Sequence, residues 1–341
     1  MRWQTQELYL RQLLAQQLRI PVLGKIHFAC LAGSATSLFE EWMRTEMDIP
    51  AELIHMGSQA PALAHEAASA YRNDVVCVFP GAYDLDAILT WSKNNTHMIG
   101  MAGPNPGGDW AEPGVVIYTD AAIAEPVLVT GDVCQFHNAT FSNYANSASG
   151  LTGLSLSGAY GSFFKNCAFQ GVMTAGNDDV VAAASLYIAT AVYNPIFEDC
   201  IIGQNVWDVR EGALSGVLRF TGTTGATPPQ NGVFKRCRFI SASETVTCAM
   251  VALPVNYCMG RGWLFDNCHF ENMSVNWAVN LNQVFYDNCT TTHDIMLHHC
   301  SAIGIDEWQD ADAGNNYIGS DMPIVGLGGG LAVNPTAVTG T

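Results

Sequence analysis

Phe164-Lys165-Asn166-Cys167-Ala168-Phe169 is one of four close copies of a six-residue phrase: an aromatic, two mostly polar residues, a cysteine, any residue, then an apolar one. The others are Phe197-Glu198-Asp199-Cys200-Ile201-Ile202, Phe234-Lys235-Arg236-Cys237-Arg238-Phe239 and Phe265-Asp266-Asn267-Cys268-His269-Phe270. Degenerate copies flank them at Phe136-His137-Asn138-Ala139-Thr140-Phe141 and Tyr286-Asp287-Asn288-Cys289-Thr290-Thr291. Successive fourth positions are 28, 33, 37, 31 and 21 residues apart. Self-similarity at such a period marks a stacked-coil architecture.

The phrase cannot lie on one flat strand. With a period of two, its first, fourth and sixth positions cannot all face the same way. A bend between the first and fourth positions removes the conflict and puts the Asn, Asp or Arg at a corner. Short strands joined by corners, one turn per repeat, describe a parallel β-helix, here of roughly six to eight coils. Like residues then stack from coil to coil. The expected inward ladder is Phe164, Cys167, Phe197, Cys200, Phe234, Cys237, Phe265, Cys268 and Cys289.

Composition agrees with a packed scaffold. Of 341 residues, 49% are apolar and 13% charged, which leaves no case for global disorder. A formal charge of -17 with only four lysines argues against a nucleic-acid groove, which needs a basic stripe. The eleven cysteines are odd in number and form no Cys-x-x-Cys pair. Recurrence at one repeat position favours reduced, buried thiols over bridges, as in a protein assembled in a reducing cytoplasm. The N-terminus lacks the apolar stretch of a signal peptide, so export by the ordinary route is not expected. The weakly polar run Val180 to Tyr193 is too short to cross a bilayer.

Three regions are expected: residues 1–61, a helix with a small α/β docking region; 62–313, the parallel β-helix; and 314–341, an extended C-terminal arm. Trp3 to about Ile20 reads as an amphipathic helix carrying Trp3, Leu10, Leu14 and Leu18 on one side, ended by Pro21 and Gly24. That face either packs on the protein's own body or docks on a partner. Lys25 to Leu31 reads as a strand, and helical segments follow around Leu38 to Thr45 and from Ala62 to Arg72. The Ala62–Arg72 helix is the expected cover for the N-terminal end of the stack. Val75 to Phe79, closed by Pro80-Gly81, opens the β-rich part, and Gly103 to Asp109 is a loop by its Gly and Pro content. The last region holds Gly326-Leu327-Gly328-Gly329-Gly330 and no periodic face.

The run Asn73 to Tyr83, the run Leu89 to Met101 and the Phe-x-Asn-Cys-x-Phe coils resemble right-handed parallel β-helix proteins of tailed bacteriophages, regarded as virion structural proteins. The likeness covers roughly residues 62 to 341, and its strand-Pro-Gly-Tyr element is shared with pectate-lyase-like enzymes. It implies a non-enzymatic particle component, capsid-decorating or part of the tail, assembled in the host cytoplasm and located in the virion. Its partners would be other virion proteins, with a homo-oligomer, a trimer, protecting the strand faces. No cofactor, nucleic acid or membrane enters that reading; a host surface glycan is a possible ligand.

The rival class is a polysaccharide depolymerase of the tailspike kind. It needs carboxylates that converge on one face, with stacking aromatics such as Trp207 or Trp277. Candidates are Asp178-Asp179, Glu198-Asp199, Asp208 with Glu211, and Asp306-Glu307 with Asp310 and Asp312. Adjacent carboxylates on a strand face opposite ways, so these pairs do not by themselves make a site. His293, His298, His299 and Cys300 match no closed zinc spacing, and His298-His299-Cys300 also reads as a drifted repeat corner with Leu297 in the aromatic slot. No nucleophile elbow, phosphate loop or dinucleotide fingerprint is present.

Overall fold

A computed structural model describes residues 2–31, 41–104, 114–204, 210–222, 226–254, 259–273, 279–289, 294–309 and 316–320, the last segment and Arg2 by backbone alone. Among them the chain winds into three parallel sheets of eleven, eight and eight strands. Each coil contributes one strand to each sheet in turn. Phe163–Lys165, Ala168–Gln170 and Leu186–Ile188 make one coil, and Ile196–Glu198, Ile201–Gly203 and Gly216–Phe220 the next. Every pairing is parallel, so the molecule is a right-handed parallel β-helix with eight complete coils from Asp74 to Gln309.

The corner between the first and second sheets is built as the phrase predicts. Its third position adopts the left-handed conformation at Asn138, Asn166, Asp199, Arg236, Asn267 and His299, with φ of 50° to 58°. Asn and Asp tolerate this region better than most residues, which explains their prevalence there. The reversal lets Phe164, Cys167 and Phe169 all face inward, and all three are buried. Phe136, Phe164, Phe197, Phe234 and Phe265 stack in one file, with ring centroids 4.8, 4.9, 4.6 and 5.0 Å apart and planes within 13° of parallel.

Each corner thiol points back at the preceding coil. The Sγ–H of Cys167, Cys200, Cys237, Cys268 and Cys300 donates to the carbonyl of Phe136, Phe164, Phe197, Phe234 and Phe265, at 3.5, 3.6, 3.4, 3.3 and 3.2 Å. The ten described cysteines are all free and buried. One ladder assignment is corrected: Cys289 follows the third-sheet strand Leu281–Asp287 and approaches the Met259 carbonyl at 3.9 Å. The true next rung is Cys300, because Leu297 pairs with Phe265 and His298 with Asp266. The 21-residue step was the sign of a mis-assigned corner; Cys300 lies 32 residues after Cys268.

The N-terminal region is continuous with the column. Ile26–Cys30 and Ile54–Met56 add two strands to the first sheet ahead of Asp74–Val78, so hydrogen bonding crosses residue 61 without a break. Helix α1, Arg2–Leu18, lies on the outer face of these strands. There Trp3, Leu14 and Leu18 form a second core with Ile26, Phe28, Val75 and Cys77, and Leu10 packs beside it. The face assigned to docking is therefore turned onto the protein's own body. Helix α2, Ala60–Ala67, covers the open end, with Ala60 and Ala64 inside the column core and the His65 ring tilted against Trp91 at a centroid distance of 4.3 Å. It stops short of the expected Arg72. The buried Asp74 carboxylate accepts from Ser69 N at 2.7 Å and Lys25 N at 2.8 Å, drawing the chain back toward the sheet.

The arm expected from residue 314 also begins differently. Asn316–Ser320 pairs with Asp294–His298 as the eleventh strand of the first sheet. Residues 321–341 lie outside the described residues, as do Trp207, Asp208, Trp277, His293, Asp310 and Asp312. Of the segment around Leu38 to Thr45, the described part, residues 41–45, is helical.

Candidate functional site

Glu198, Asp199, Asp266 and Asp306, among the carboxylates picked out in the sequence, serve the scaffold. Arg236 Nε and Nη2 donate to Asp199 at 2.7 and 2.9 Å, and Nη2 also donates to Glu198 Oε1 at 2.7 Å. Lys165 Nζ donates to the same Glu198 oxygen at 3.3 Å. The left-handed turn at Asp199 brings the adjacent carboxylates onto one guanidinium, where a straight strand would have parted them. Arg236 bonds hold Asp199 below the usual carboxylate range; at Glu198 burial works the other way and the Arg236 and Lys165 bonds outweigh it. Asp266 pairs with His298 at 2.7 Å, and Asp306 accepts from Asn280 at 2.8 Å. Asp178 ties its loop to the next coil through its carbonyl, which accepts from Glu211 N and Gly212 N. Among the described residues no three metal-ligating side chains converge.

A polar patch that sequence reasoning missed lies on the outer face of the second sheet. Asp84, Tyr118, Ser142 and Gln170 stand in one file across successive coils. Ser142 Oγ donates to Gln170 Oε1 at 2.7 Å, and Tyr118 meets Tyr144 edge-on at 5.6 Å. Burial, then the charge of Asp120, raises the Asp84 carboxyl above its ordinary range, and its Oδ1 has no hydrogen-bond partner. Burial also pushes the phenols of Tyr118 and Tyr144 up to about 12. Ser142 and Gln170 are fully buried and Tyr118 nearly so, which leaves Asp84 and Tyr144 as the partly exposed polar edges of this file. The early coils lack the cysteine phrase, so this file appears only once the coils are aligned.

An apolar concavity lies at the other face of the N-terminal end. Between helix α1 and residues 42–49 runs a cleft of about 580 Å³. Tyr9, Leu10 and Leu13 form one wall, Trp42 and Met47 the other, and Phe28, Phe79 and Met101 lie beneath. Tyr9 and Trp42 are 64% and 45% exposed, unusual values for aromatics beside so much apolar surface. Gln6 also lines the cleft, and its Oε1 is buried without a hydrogen-bond donor. Among the described residues no charged side chain lines it. The cleft suits an apolar occupant that offers a single N–H or O–H.

No described helix is long and apolar enough to cross a membrane. No family model matches the chain, and no curated protein matches it in sequence. Among solved structures, a pectin methylesterase in complex with a hexasaccharide is similar at TM-score 0.52 and 14% identity, over 82% of this chain and 80% of that one. ORF18 of Geobacillus virus E2 is similar at TM-score 0.37 and 8% identity, over 89% and 75%. An alginate lyase from Paenibacillus gives 0.36 and 8%, over 86% and 98%. The pectin methylesterase likeness establishes the architecture, the parallel β-helix, and nothing of activity.

Proposed function

We propose that this protein is a non-enzymatic structural component of a tailed-bacteriophage particle, attached to another virion protein through its N-terminal cleft. The observation that carries the reading is the cleft itself: wide, open, apolar, edged by exposed aromatics and holding one unsatisfied acceptor on Gln6. Such a surface is costly to leave in water and suits a protein partner with an apolar segment. The column behind it is a rigid spacer on which Lys165, Arg236, Arg238 and His298 pair with carboxylates of neighbouring rungs. The viral setting comes from the sequence resemblance, with which free, buried cysteines agree.

Copies of the chain associate side by side in this reading. Phe163, Ile196, Val233, Leu264 and Met296 form an apolar file on the outside of the first sheet, and Ile196 is 39% exposed. A homo-oligomer, a trimer in the virion reading, would cover it.

Counting copies in purified particles by quantitative mass spectrometry tests the proposal. Hundreds per particle indicate shell decoration, a handful indicates tail, and absence refutes it. Trp42→Asp with Leu13→Asp should leave the fold intact and abolish incorporation.

A second reading rests on the Asp84 patch: binding or cleavage of a host surface polysaccharide, with the partly exposed edges of Asp84 and Tyr144 against the sugar ring. Incubation of pure protein with host capsule or lipopolysaccharide distinguishes the outcomes. Released oligosaccharides favour an enzyme, retention without cleavage favours passive binding, and neither dismisses the patch.

A further inference from the structure

Arg210 is 3% exposed, and its backbone is pinned on both sides: its N–H donates to Ala242 O at 2.8 Å, and its carbonyl accepts from Ser243 Oγ at 2.8 Å. Among the described residues the guanidinium makes one hydrogen bond, from Nη1 to Ala183 O at 2.7 Å. Among the described residues no carboxylate contacts it; the neighbours that act on it are the Cys248 thiol, which favours the charged form, and to a lesser degree Arg219, which opposes it. Burial pushes its pKa down to about 10, so the group stays charged at neutral pH. A buried cation needs a counter-charge, and a carbonyl dipole supplies only part of one.

The guanidinium borders a small cavity of about 10 Å³ that Ser185, Gln204 and Ser241 also line. Ser241 is 1% exposed, and its Oγ has no partner. Ser185 Oγ accepts from Gly171 N at 3.1 Å, which leaves its own proton free to donate. Gln204 Nε2 is committed to Val172 O at 2.9 Å. Among the described residues, the groups that border the cavity beside the Gln204 amide are thus a cation and two hydroxyls, all able to donate. The space admits the centre of one small particle and excludes carboxylates, phosphate and sulfate. A water there would satisfy the donors and leave the charge uncompensated.

We propose that Arg210, Ser185 and Ser241 form a buried site for a single monatomic anion, chloride, between the second and third sheets. The ion neutralises the guanidinium and receives the two hydroxyl protons. It is a structural ligand of the column, independent of how the protein is attached or what it binds.

Thermal unfolding in sodium chloride against sodium gluconate, at equal ionic strength, tests it. An anion that binds only the folded state raises the melting temperature with its concentration. Chloride and bromide should each raise it by about 2 °C or more over gluconate. The shift should shrink in Ser241→Ala and vanish in Arg210→Met. Equal melting temperatures in all three salts overturn the site. Should Arg210→Met not fold, bromide-grown crystals of the unaltered protein decide the matter. An anomalous peak between the Arg210 guanidinium and Ser241 Oγ supports the proposal, and a water there refutes it.

Discussion

The corner between the first and second sheets takes two residues in every coil from Gln135 onward, whereas the corner between the second and third sheets varies from one residue to fifteen. The short corner repeats one solution: a left-handed residue, then a small side chain turned inward, a thiol in five of the six copies. The long corner repeats nothing and needs its own polar partners each time. Asn143 Nδ2 donates to the carbonyls of Ala124 and Thr152 and its Oδ1 accepts from Ala145 N; Asn272 likewise brackets Ser243 N and O. Arg210 stands in the same corner, tied to Ala183 and Ala242. Where backbone geometry is constant, sequence can recur; where length varies, each loop must satisfy its buried backbone individually.

That contrast can be broken most forcefully at the ladder. Phe234→Ala or Phe265→Ala should cost about 3–5 kcal/mol in denaturant unfolding, the range for a large buried aromatic. A loss below about 1 kcal/mol at both sites would remove the short corner's claim to be the organising element.

Acid should weaken the first sheet next. Burial depresses His97 and His137 to about 4, so both are neutral when folded, while in the unfolded chain they take up protons near 6.5. The unfolded state then binds more protons between those values. Stability is full above about pH 6.5 and falls as pH drops toward 4. A melting-temperature series across that window should slope less in His137→Gln than in the unaltered protein.

At the long corner, Asn143→Ala or Asn272→Ala should each cost about 1–3 kcal/mol by stranding buried backbone groups. A near-neutral result would mean that water replaces the amide and that these loops are looser than the ladder. The smallest effect belongs to the left-handed position. Asn267→Ala should cost about 1 kcal/mol from backbone strain. Asn267→Gly should change little, and equal losses in both would point to the side chain instead.

Some residues were readable without coordinates and others were not. The phrase around Cys167, Cys200, Cys237 and Cys268 announced the corner, its polar third position and its inward thiols, because all three follow from strand period and one reversal. Cys289 was misread since a local match to the phrase cannot tell which corner of the coil it occupies; only pairing to Phe265 identifies Cys300 as the next rung. Helix α1 was visible as amphipathic, yet its choice between a partner and its own body depended on the first sheet extending outward through Ile26–Cys30. Asp84 with Tyr118, and Arg210 with Ser241, carried no sequence signal. Their members come from separate coils at irregular spacing.

The chain by itself determined that a column would form and which side chains would run down its axis, because a repeated local conformation forces like residues into register. Tertiary structure alone decided where the apolar cleft opens, which faces remain bare and where the buried guanidinium came to rest. Those depend on loops of unequal length meeting across coils, and no period in the sequence encodes such a meeting.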